Sequence, residues 1–389
     1  MRQLLFTLLL IIPTTTLAHG GPPGGHNNGH GHGGGHGGGH NNGQGNVGSA
    51  EIFATMPAGY EWPEGVVVDY DRELLYVTGP AASPTAGLPA SWVRVYDLND
   101  GDLIDTLEAD GENILFEHAF SESALDADGN LYVNSTQLGV VKFSIVDTCF
   151  GPTWTQSLHT STPFPQLIEV PPIPGLPPSV PNGIVVGPAG ELYVTDSIQG
   201  IIFMVPPGGG EPVPVIVDPL LGFFGGGRLG MNGIKLDPER EYLYFAFTGG
   251  VPFPGAPGAT GKIYRVPLND LGETPEIVYE YGLNDLPDGL AFAQNGDLYA
   301  VLAGDNSVSV ISGLNECDFD PYEIDRITQP ENVNVSFVQP STIALHPDKK
   351  RAYVVNHAVD DVLVGSPVPD PSPFVIFEIR VDDRGDPLP

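Results

Sequence analysis

The chain has few cysteines. Only Cys149 and Cys317 occur among its 389 residues, which excludes a framework of several disulfides as the source of its stability. A chain of this length can bury a sizeable apolar core without such a framework. Whether the two cysteines pair stays open on sequence grounds.

Basic residues are also scarce. The chain has 15 Lys and Arg against 48 Asp and Glu, which gives a formal charge of −33 at pH 7. Such a charge repels phosphate backbones and anionic lipid surfaces, so neither nucleic acid nor a membrane is expected as a partner. The acidic residues are scattered rather than blocked, which favours a solvated surface and a soluble monomer, although the same charge also attracts cations.

Long apolar runs are missing. The run from Leu4 to Ile12 is shorter than the roughly 20 residues that a membrane-spanning helix needs. It follows Arg2 and precedes Thr16-Leu17-Ala18, which is the layout of a secretory signal. The sequence therefore predicts a signal peptide over 1–18 and a secreted, extracellular protein.

A segment without core-forming residues comes next. Residues 19–49 are almost entirely Gly, His, Asn and Pro, which predicts a flexible tail ahead of a folded body over 50–389. Its closely spaced imidazoles are suited to weak binding of Zn²⁺, Cu²⁺ or Ni²⁺. Two sequons, at Asn134 and Asn334, fit an exported glycoprotein, and glycosylation at either one is left open.

Helical periodicity is nearly absent from the body. Short β-rich runs alternate with turn residues, and 51 glycines and 40 prolines favour a turn-dense β architecture. One phrase recurs six times, consisting of an apolar strand, a polar turn and a second strand rich in aromatic and β-branched residues. The second strands read Leu74-Leu75-Tyr76-Val77, Leu131-Tyr132-Val133, Leu192-Tyr193-Val194, Tyr242-Leu243-Tyr244-Phe245, Leu298-Tyr299-Ala300 and Ala352-Tyr353-Val354-Val355.

The repeats are 50 to 60 residues apart, which leaves room for four short strands in each. They predict an all-β fold, a six-bladed β-propeller of four-stranded blades. The sixth repeat reaches the end of the chain after its third strand, Phe374 to Ile379. Because Glu51 to Thr55 has the composition of the missing outer strand, we expect the ring to be closed by N- and C-terminal strands.

One polar residue opens each innermost strand. In a propeller these anchor positions ring one mouth of the central channel, and here they are Glu64, Glu122, Asn182, Asn232, Asp288 and Ser341. Carboxylate and amide oxygens converging on one axis are what a hard divalent ion such as Ca²⁺ requires. Asn-Gly and Asp-Gly are also ordinary turn formers, so an interpretation in which they only form turns stays open.

The order of these motifs resembles that of a known family. Glu64-Gly65, Pro181-Asn182-Gly183, Asn232-Gly233-Ile234 and Pro287-Asp288-Gly289, one per repeat, are similar to the senescence marker protein/gluconolactonase family of six-bladed propellers, with paraoxonases as more distant relatives. The resemblance runs from about Trp62 to Val381. It implies one divalent cation, Ca²⁺ first and Zn²⁺ or Mg²⁺ as alternatives. The implied ligands are Glu64, Asn182, Asn232 and Asp288.

The sequence departs from that family at two places. Gly65 is followed by Val66-Val67 instead of proline and tryptophan. Val180 stands where lactonases of the family often carry an arginine. Because that cation is absent, the resemblance does not imply recognition of a polyhydroxylated sugar lactone.

Three residues are candidates for proton transfer. The resemblance makes Asp288 the candidate general base, and His357 and His118 are expected on the same face as possible proton shuttles; a purely structural role for each histidine stays open. The predicted function is a metal-dependent hydrolase of lactones or related esters, with a lactone or ester as its small-molecule partner. The alternative is a secreted binding or scaffold propeller that lacks enzymatic activity and uses the metal structurally.

Overall fold

A computed structural model of the chain describes residues 47–57, 62–82, 85–149, 151–170, 176–223, 229–250, 258–314, 319–358 and 369–387. The predicted signal peptide (1–18), residues 19–46 of the tail, and Cys317 lie outside these ranges. Residues Val47–Pro389 form one compact unit. No helix in the described ranges is long and apolar enough to cross a membrane.

The described residues form 24 strands in six antiparallel sheets of four, with one short 3₁₀ helix at Pro219–Leu221. Five blades follow the chain directly and the sixth combines both ends of the body. Blade 1 contains β2 (Val66–Asp69), β3 (Leu74–Gly79), β4 (Trp92–Asp97) and β5 (Leu103–Glu108); blade 2 contains β6 (Phe120–Leu125), β7 (Leu131–Ser135), β8 (Gly139–Thr148) and β9 (Gly151–Leu158); blade 3 contains β10 (Pro181–Val186), β11 (Leu192–Asp196), β12 (Ile201–Val205) and β13 (Val213–Val217); blade 4 contains β14 (Leu229–Leu236), β15 (Tyr242–Gly249), β16 (Lys262–Pro267) and β17 (Glu276–Glu280); blade 5 contains β18 (Pro287–Phe292), β19 (Leu298–Leu302), β20 (Ser307–Ser312) and β21 (Tyr322–Ile327); blade 6 contains β22 (Pro340–Leu345), β23 (Arg351–Asn356), β24 (Val375–Arg380) and β1 (Ala50–Thr55).

The ring closes as the sequence predicts. β1 pairs antiparallel with β24, with Glu51 opposite Glu378 and Thr55 opposite Val375. The innermost strands β2, β6, β10, β14, β18 and β22 contact one another in that order, and β22 contacts β2. The all-β, six-bladed prediction is therefore confirmed.

The burial of a strand determines how clearly its apolar pattern appears in the sequence. The second strands are buried along their whole length, as in β7 and β11, because each sheet is covered on both faces by neighbouring blades. Outer strands such as β5 and β21 are largely exposed and therefore carry polar residues. Two of them, β9 and β21, have no apolar pattern and were not identified from the sequence.

Hydrogen bonds from second strands to the next innermost strand join the blades. Asn134 Nδ2 of β7 donates to Asn182 O at 2.7 Å, and Thr195 Oγ1 of β11 donates to Asn232 O at 2.6 Å. Asn134 is fully buried, so the folded protein cannot carry a glycan on this nitrogen. Of the two sequons, only Asn334 is exposed, and its glycosylation stays a prediction.

Candidate functional site

β-bulges present the polar side chains at the mouth. In β10 the pairing with β11 shifts between Pro181 and Ile184, which leaves Asn182 and Gly183 opposite one residue. The innermost strands of blades 2, 4, 5 and 6 have register shifts at the corresponding place. A bulge redirects a side chain from the regular alternation of a strand. These five blades therefore share a backbone feature at the mouth in addition to a polar residue.

The register corrects one anchor residue. Phe120 of β6 pairs with Ser135 as Pro181 of β10 pairs with Asp196, which makes Ser121 the counterpart of Asn182. Glu122, the residue that the repeats indicated, instead occupies the position that is glycine in blade 3. The mouth is therefore ringed by Glu64, Ser121, Asn182, Asn232, Asp288 and Ser341. Five of the anchors lie inside strands, and only Glu64 lies just before its strand.

The glycines that follow the anchors are required by close packing. A Cβ on Gly183 would lie 2.5 Å from Asn232 O, and one on Gly233 would lie 2.5 Å from Asp288 O. Neither glycine has a left-handed φ, and both lie in strands. The Asn-Gly pairs therefore lie in strands and not in turns, and they allow neighbouring innermost strands to approach each other.

Hydroxyl groups fix the orientation of both asparagine amides. Ser197 Oγ donates its proton to Met231 O at 2.6 Å, so it can only accept from Asn182 Nδ2, which lies 3.2 Å away. Thr248 Oγ1 donates to Pro287 O and accepts from Asn232 Nδ2, both at 3.0 Å. Since each amide nitrogen faces a hydroxyl, each amide oxygen faces the opposite way.

The amide oxygens are buried without a hydrogen-bond partner in the described part of the chain. Asn182 Oδ1 and Asn232 Oδ1 both have this status. Leaving a buried carbonyl oxygen unsatisfied costs about 1–3 kcal/mol, so such atoms require a ligand or ordered water to explain them.

Two carboxyl groups complete this cluster. Burial, and then the neighbouring Glu122, raise the pKa of Glu64 to about 8. Burial, followed by the charges of Glu64 and Glu122, raises the pKa of Asp288 well above its ordinary value, against the effect of a hydrogen bond from Asn232. Three carboxyl groups thus lie close enough to oppose one another's ionisation, as expected where a cation is to be held.

His357 lies at the site and His118 does not. His357 Nδ1, just after β23, is 3.3 Å from Glu64 Oε2. The ring nitrogens of His118 instead lie 2.9 Å from Phe116 O and 2.7 Å from Pro89 O. His118 is buried among these backbone groups and is not among the described residues that line the pocket at the mouth.

An ion pair lies deeper in the channel. Lys235 Nζ of β14 is 3.3 Å from Glu122 Oε2, whose carboxyl is almost fully buried. Burial raises the pKa of Glu122, and Lys235 opposes that rise. The sequence contained a signal for this lysine, because the corresponding position holds Val67, Ala124, Val185, Ala291 or Ala344 in the other five blades.

The backbone at the mouth is strained. Three residues adopt left-handed φ values two positions before an anchor, namely Trp62 (33°), Leu286 (54°) and Gln339 (46°). Each precedes a proline. Such conformations cost on the order of 1–3 kcal/mol for residues other than glycine and cluster at functional sites. Leu286 and Gln339 line the pocket.

A buried carboxylate holds the segment that leads to Asn182. Asp196 accepts hydrogen bonds from Ser179 Oγ (2.6 Å), Gln199 Nε2 (2.7 Å) and the backbone N–H groups of Val180, Ile198 and Gln199. These bonds fix the entry into β10 and therefore the position of its bulge.

The donor set fits a hard divalent cation. No cluster of three or more His, Cys, Asp or Glu side chains suited to a metal occurs among the described residues. The fit therefore depends on amide oxygens. Two buried carboxyl groups and two unsatisfied amide oxygens match the preference of Ca²⁺ for oxygen ligands.

Comparison with known proteins gives structural matches only. No protein-family model matches the sequence, and no curated protein sequence is significantly similar to it. The fold is similar to that of a calcium-binding protein, regucalcin, from Agrobacterium tumefaciens, with 18% identity, a TM-score of 0.56 and coverage of 87% of this chain and 97% of the other. A putative gluconolactonase matches with 16% identity, a TM-score of 0.49 and coverage of 87% and 93%.

A third match shows why the fold alone does not assign an activity. The PQQ-bound aldose sugar dehydrogenase from Streptomyces coelicolor is 14% identical with a TM-score of 0.53, and the match covers 85% of this chain and 98% of that one. Different chemistries therefore occur on this architecture. The chain has the six-bladed propeller fold of regucalcin and gluconolactonase-like proteins, the group that its sequence motifs resemble.

Proposed function

We propose that the protein is a divalent-metal-dependent hydrolase of lactones or related esters and that Ca²⁺ is its ion, with Zn²⁺ and Mg²⁺ as alternatives. The observation that carries this proposal is the pair of buried, unsatisfied oxygens of Asn182 and Asn232 beside the carboxyl groups of Glu64 and Asp288. These four residues would hold the ion. The calcium-binding description of the matched regucalcin supports the choice of Ca²⁺.

The ion, when bound, would polarise a carbonyl group and lower the pKa of a water molecule. Asp288, whose pKa falls again when a cation is held beside it, accepts the proton of the attacking water. The proton that Asp288 takes up returns to the oxygen that leaves when the acyl C–O bond breaks. We assign to His357, whose Nδ1 lies 3.3 Å from Glu64 Oε2, the exchange of protons between the site and solvent. Ser341 Oγ donates to Glu64 O at 2.7 Å and so positions the backbone of a ligand residue.

The test uses the purified full chain and hydrolysis of δ-valerolactone followed by pH-stat. Activity should require Ca²⁺, disappear in chelator and return when Ca²⁺ is added back. Asp288→Asn should lower kcat by about 10²- to 10⁴-fold, since it removes the proton acceptor. Asp105→Asn makes the same chemical change on the exposed outer strand β5 and should leave kcat unchanged.

Zn²⁺ and Mg²⁺ are assayed in the same way. Because the Gly/His-rich tail is identical in both variants, any metal bound there affects them equally. Hydrolysis that survives chelation, or an Asp288→Asn variant as active as Asp105→Asn, would count against the proposal. A chain that hydrolyses no lactone with any of the three ions would favour a binding propeller instead.

We also propose that the protein is exported as a monomer. The amino-terminal layout around Arg2 and Ala18 supports export, and the high acidic charge disfavours self-association. Amino-terminal sequencing of the exported protein should begin at His19. Light scattering coupled to size exclusion should give the mass of one chain.

A further inference from the structure

The walls of the pocket above the anchors are apolar. The described side chains that form them come from four connections between strands and from the start of β14, and they are Ala82, Leu176, Val180, Leu229, Leu286 and Ala303. No lysine or arginine occurs among the described residues that line this pocket. The polar lining, which we call the floor, consists of four anchors together with Thr248, Gln339 and His357.

Most hydrogen-bond donors of that floor are already used within the protein. Ser121 Oγ donates to Pro181 O at 2.8 Å, and Thr248 Oγ1 donates to Pro287 O at 3.0 Å. Asn182 Nδ2 donates to Ser197 Oγ. The acceptors of the floor are the oxygens that would hold the ion. A substrate with several hydroxyl groups would therefore give up hydrogen bonds to water without replacing all of them, which is unfavourable for each group buried.

Leu286 carries the clearest indication. Its φ of 54° lies in the left-handed region, which glycine adopts freely and asparagine more readily than leucine. Leucine at this position therefore does not serve the backbone. Its side chain lines the pocket immediately before the Pro287-Asp288 pair, where it can contact a ligand held at the carboxyl group of Asp288.

We propose that the substrate is a lactone or ester with an alkyl or aryl group, which lies against Leu176, Leu229 and Leu286 while its carbonyl group faces the anchors. This inference rests on the proposed function and defines its substrate class. It excludes polyhydroxylated lactones as preferred substrates. In such pockets the apolar walls contact the apolar part of the ligand, and a few convergent polar groups fix its orientation.

The first test compares two lactones with the same six-membered ring in the calcium-loaded full chain. δ-Nonalactone carries an alkyl chain and D-glucono-δ-lactone carries hydroxyl groups. After correction for spontaneous hydrolysis, kcat/KM should be at least about 10-fold higher for δ-nonalactone. Equal values, or a preference for D-glucono-δ-lactone, would overturn the inference.

The second test changes the wall. Leu286→Asn introduces a residue that tolerates the left-handed conformation, so the melting temperature should not fall. Its kcat/KM should fall about 10-fold more for δ-nonalactone than for unsubstituted δ-valerolactone, because one apolar contact with the alkyl chain is lost. Ile104→Thr, on the exposed strand β5, should change neither value. Equal losses for both lactones would contradict a role in binding the chain.

A binding measurement separates this inference from the proposed function. 3-Butylcyclohexanone keeps the carbonyl group and the alkyl chain of δ-nonalactone but cannot be hydrolysed. Saturation-transfer NMR should show that it binds to the wild-type chain and more weakly to Leu286→Asn, whereas D-glucitol should not bind. Binding of the ketone without any lactone hydrolysis would reject the proposed function and keep the apolar pocket. Failure of the ketone to bind would reject the pocket's specificity, even if lactones are hydrolysed.

Discussion

At the scale of single residues, the site depends on which way two amides point. The hydroxyls of Ser197 and Thr248 have their protons committed to backbone carbonyls of the next blade, so they can only accept from Asn182 and Asn232. The blade junctions therefore orient the atoms that would bind the ion. Motifs in the sequence identified the two asparagines but not the hydroxyl groups that orient them, because those partners lie 15 and 16 residues away on adjacent strands.

Removing one of these hydroxyls should weaken calcium binding. Thr248→Val keeps the side-chain shape but frees the Asn232 amide to rotate, and loss of such a supporting contact typically lowers metal affinity by about 10- to 100-fold. Thr195→Val is the matched control. It removes a cross-blade hydrogen bond to Asn232 O and one from Gly183 N, but both amide side chains stay held by Ser197 and Thr248. Isothermal titration with Ca²⁺ should show the loss only for Thr248→Val, and an equal loss in both variants would contradict the orienting role.

The raised pKa of Glu64 predicts how stability changes with pH. The ordinary pKa of a glutamate side chain is 4.5, and that of Glu64 in the folded protein is about 8, so the folded state binds more protons than the unfolded state between these values. The free energy of unfolding should therefore fall as pH rises from about 4.5 to about 8, with a slope of up to about 1.4 kcal/mol per pH unit. Urea unfolding at several pH values in chelator measures this slope.

The matching control is Glu64→Gln. This substitution removes one titrating group and should make the pH dependence of the metal-free protein shallower, while Glu122 and Asp288, whose pKa values are also raised, account for the slope that is left. Saturating Ca²⁺ should also flatten it for the wild-type chain, since a bound cation stabilises the ionised carboxylate. A slope that is the same in both proteins would show that Glu64 is not the group responsible.

At the scale of elements, the bulge on the innermost strands of blades 2 to 6 is the repeated unit of the site. The register of the bulge in β6 could not be derived from composition. Either Ser121 or Glu122 could be the counterpart of Asn182 until the pairing with the neighbouring strand is known. A one-residue shift moves a side chain to the other face of a strand. For that reason the sequence placed Glu122 at the mouth of the channel, where the structure has Ser121. The four anchors that are followed by glycine lack this ambiguity, namely Glu64, Asn182, Asn232 and Asp288.

The close approach of neighbouring bulges predicts a cost for a single added methyl group. Gly183→Ala would place a Cβ 2.5 Å from Asn232 O, 2.8 Å from Ile234 N and 3.0 Å from Gly233 Cα. Since all three are backbone atoms, the innermost strands β10 and β14 must separate. We expect the free energy of unfolding to fall by about 1–3 kcal/mol and calcium affinity to fall with it. Gly272→Ala, in an exposed loop without such a contact, should change neither quantity. Urea unfolding of both variants decides the matter.

At the scale of the whole molecule, the ring is held shut by one pair of strands from distant parts of the chain. β1 supplies the outer edge of blade 6 by pairing with β24. The number of blades and this closure were predictable, because both follow from repeat spacing and from a sixth repeat that is one strand short. The pocket walls were not, because residues such as Leu176 and Leu286 converge only once the ring has formed.

Two truncations test the closure. A chain that begins at Val47 retains β1 and should unfold in urea with the midpoint of the full chain. A chain that begins at Pro57 lacks β1, exposes the edge of β24 and loses the pairing from Ala50 to Thr55. We expect the second chain to unfold at lower urea and to associate through the exposed edge, as measured by size exclusion. Identical behaviour of the two would show that the ring does not need β1.

The buried position of Asn134 makes the order of folding and glycosylation important during synthesis. Its Nδ2 joins blade 2 to the carbonyl groups of Asn182 and Gly183 in blade 3, yet the unfolded chain presents the same nitrogen within an acceptor tripeptide. Glycosylation and folding therefore compete for one atom, and the order of the two events is decisive. A chain that receives a glycan there before blade 3 has been synthesised cannot dock its second and third blades. In a cell with glycosylation machinery, the yield of native protein would then depend on the relative rates of folding and modification. Asn134→Gln would remove the acceptor tripeptide but would not restore the junction fully, because the longer side chain of glutamine places its amide nitrogen differently relative to the two carbonyl groups.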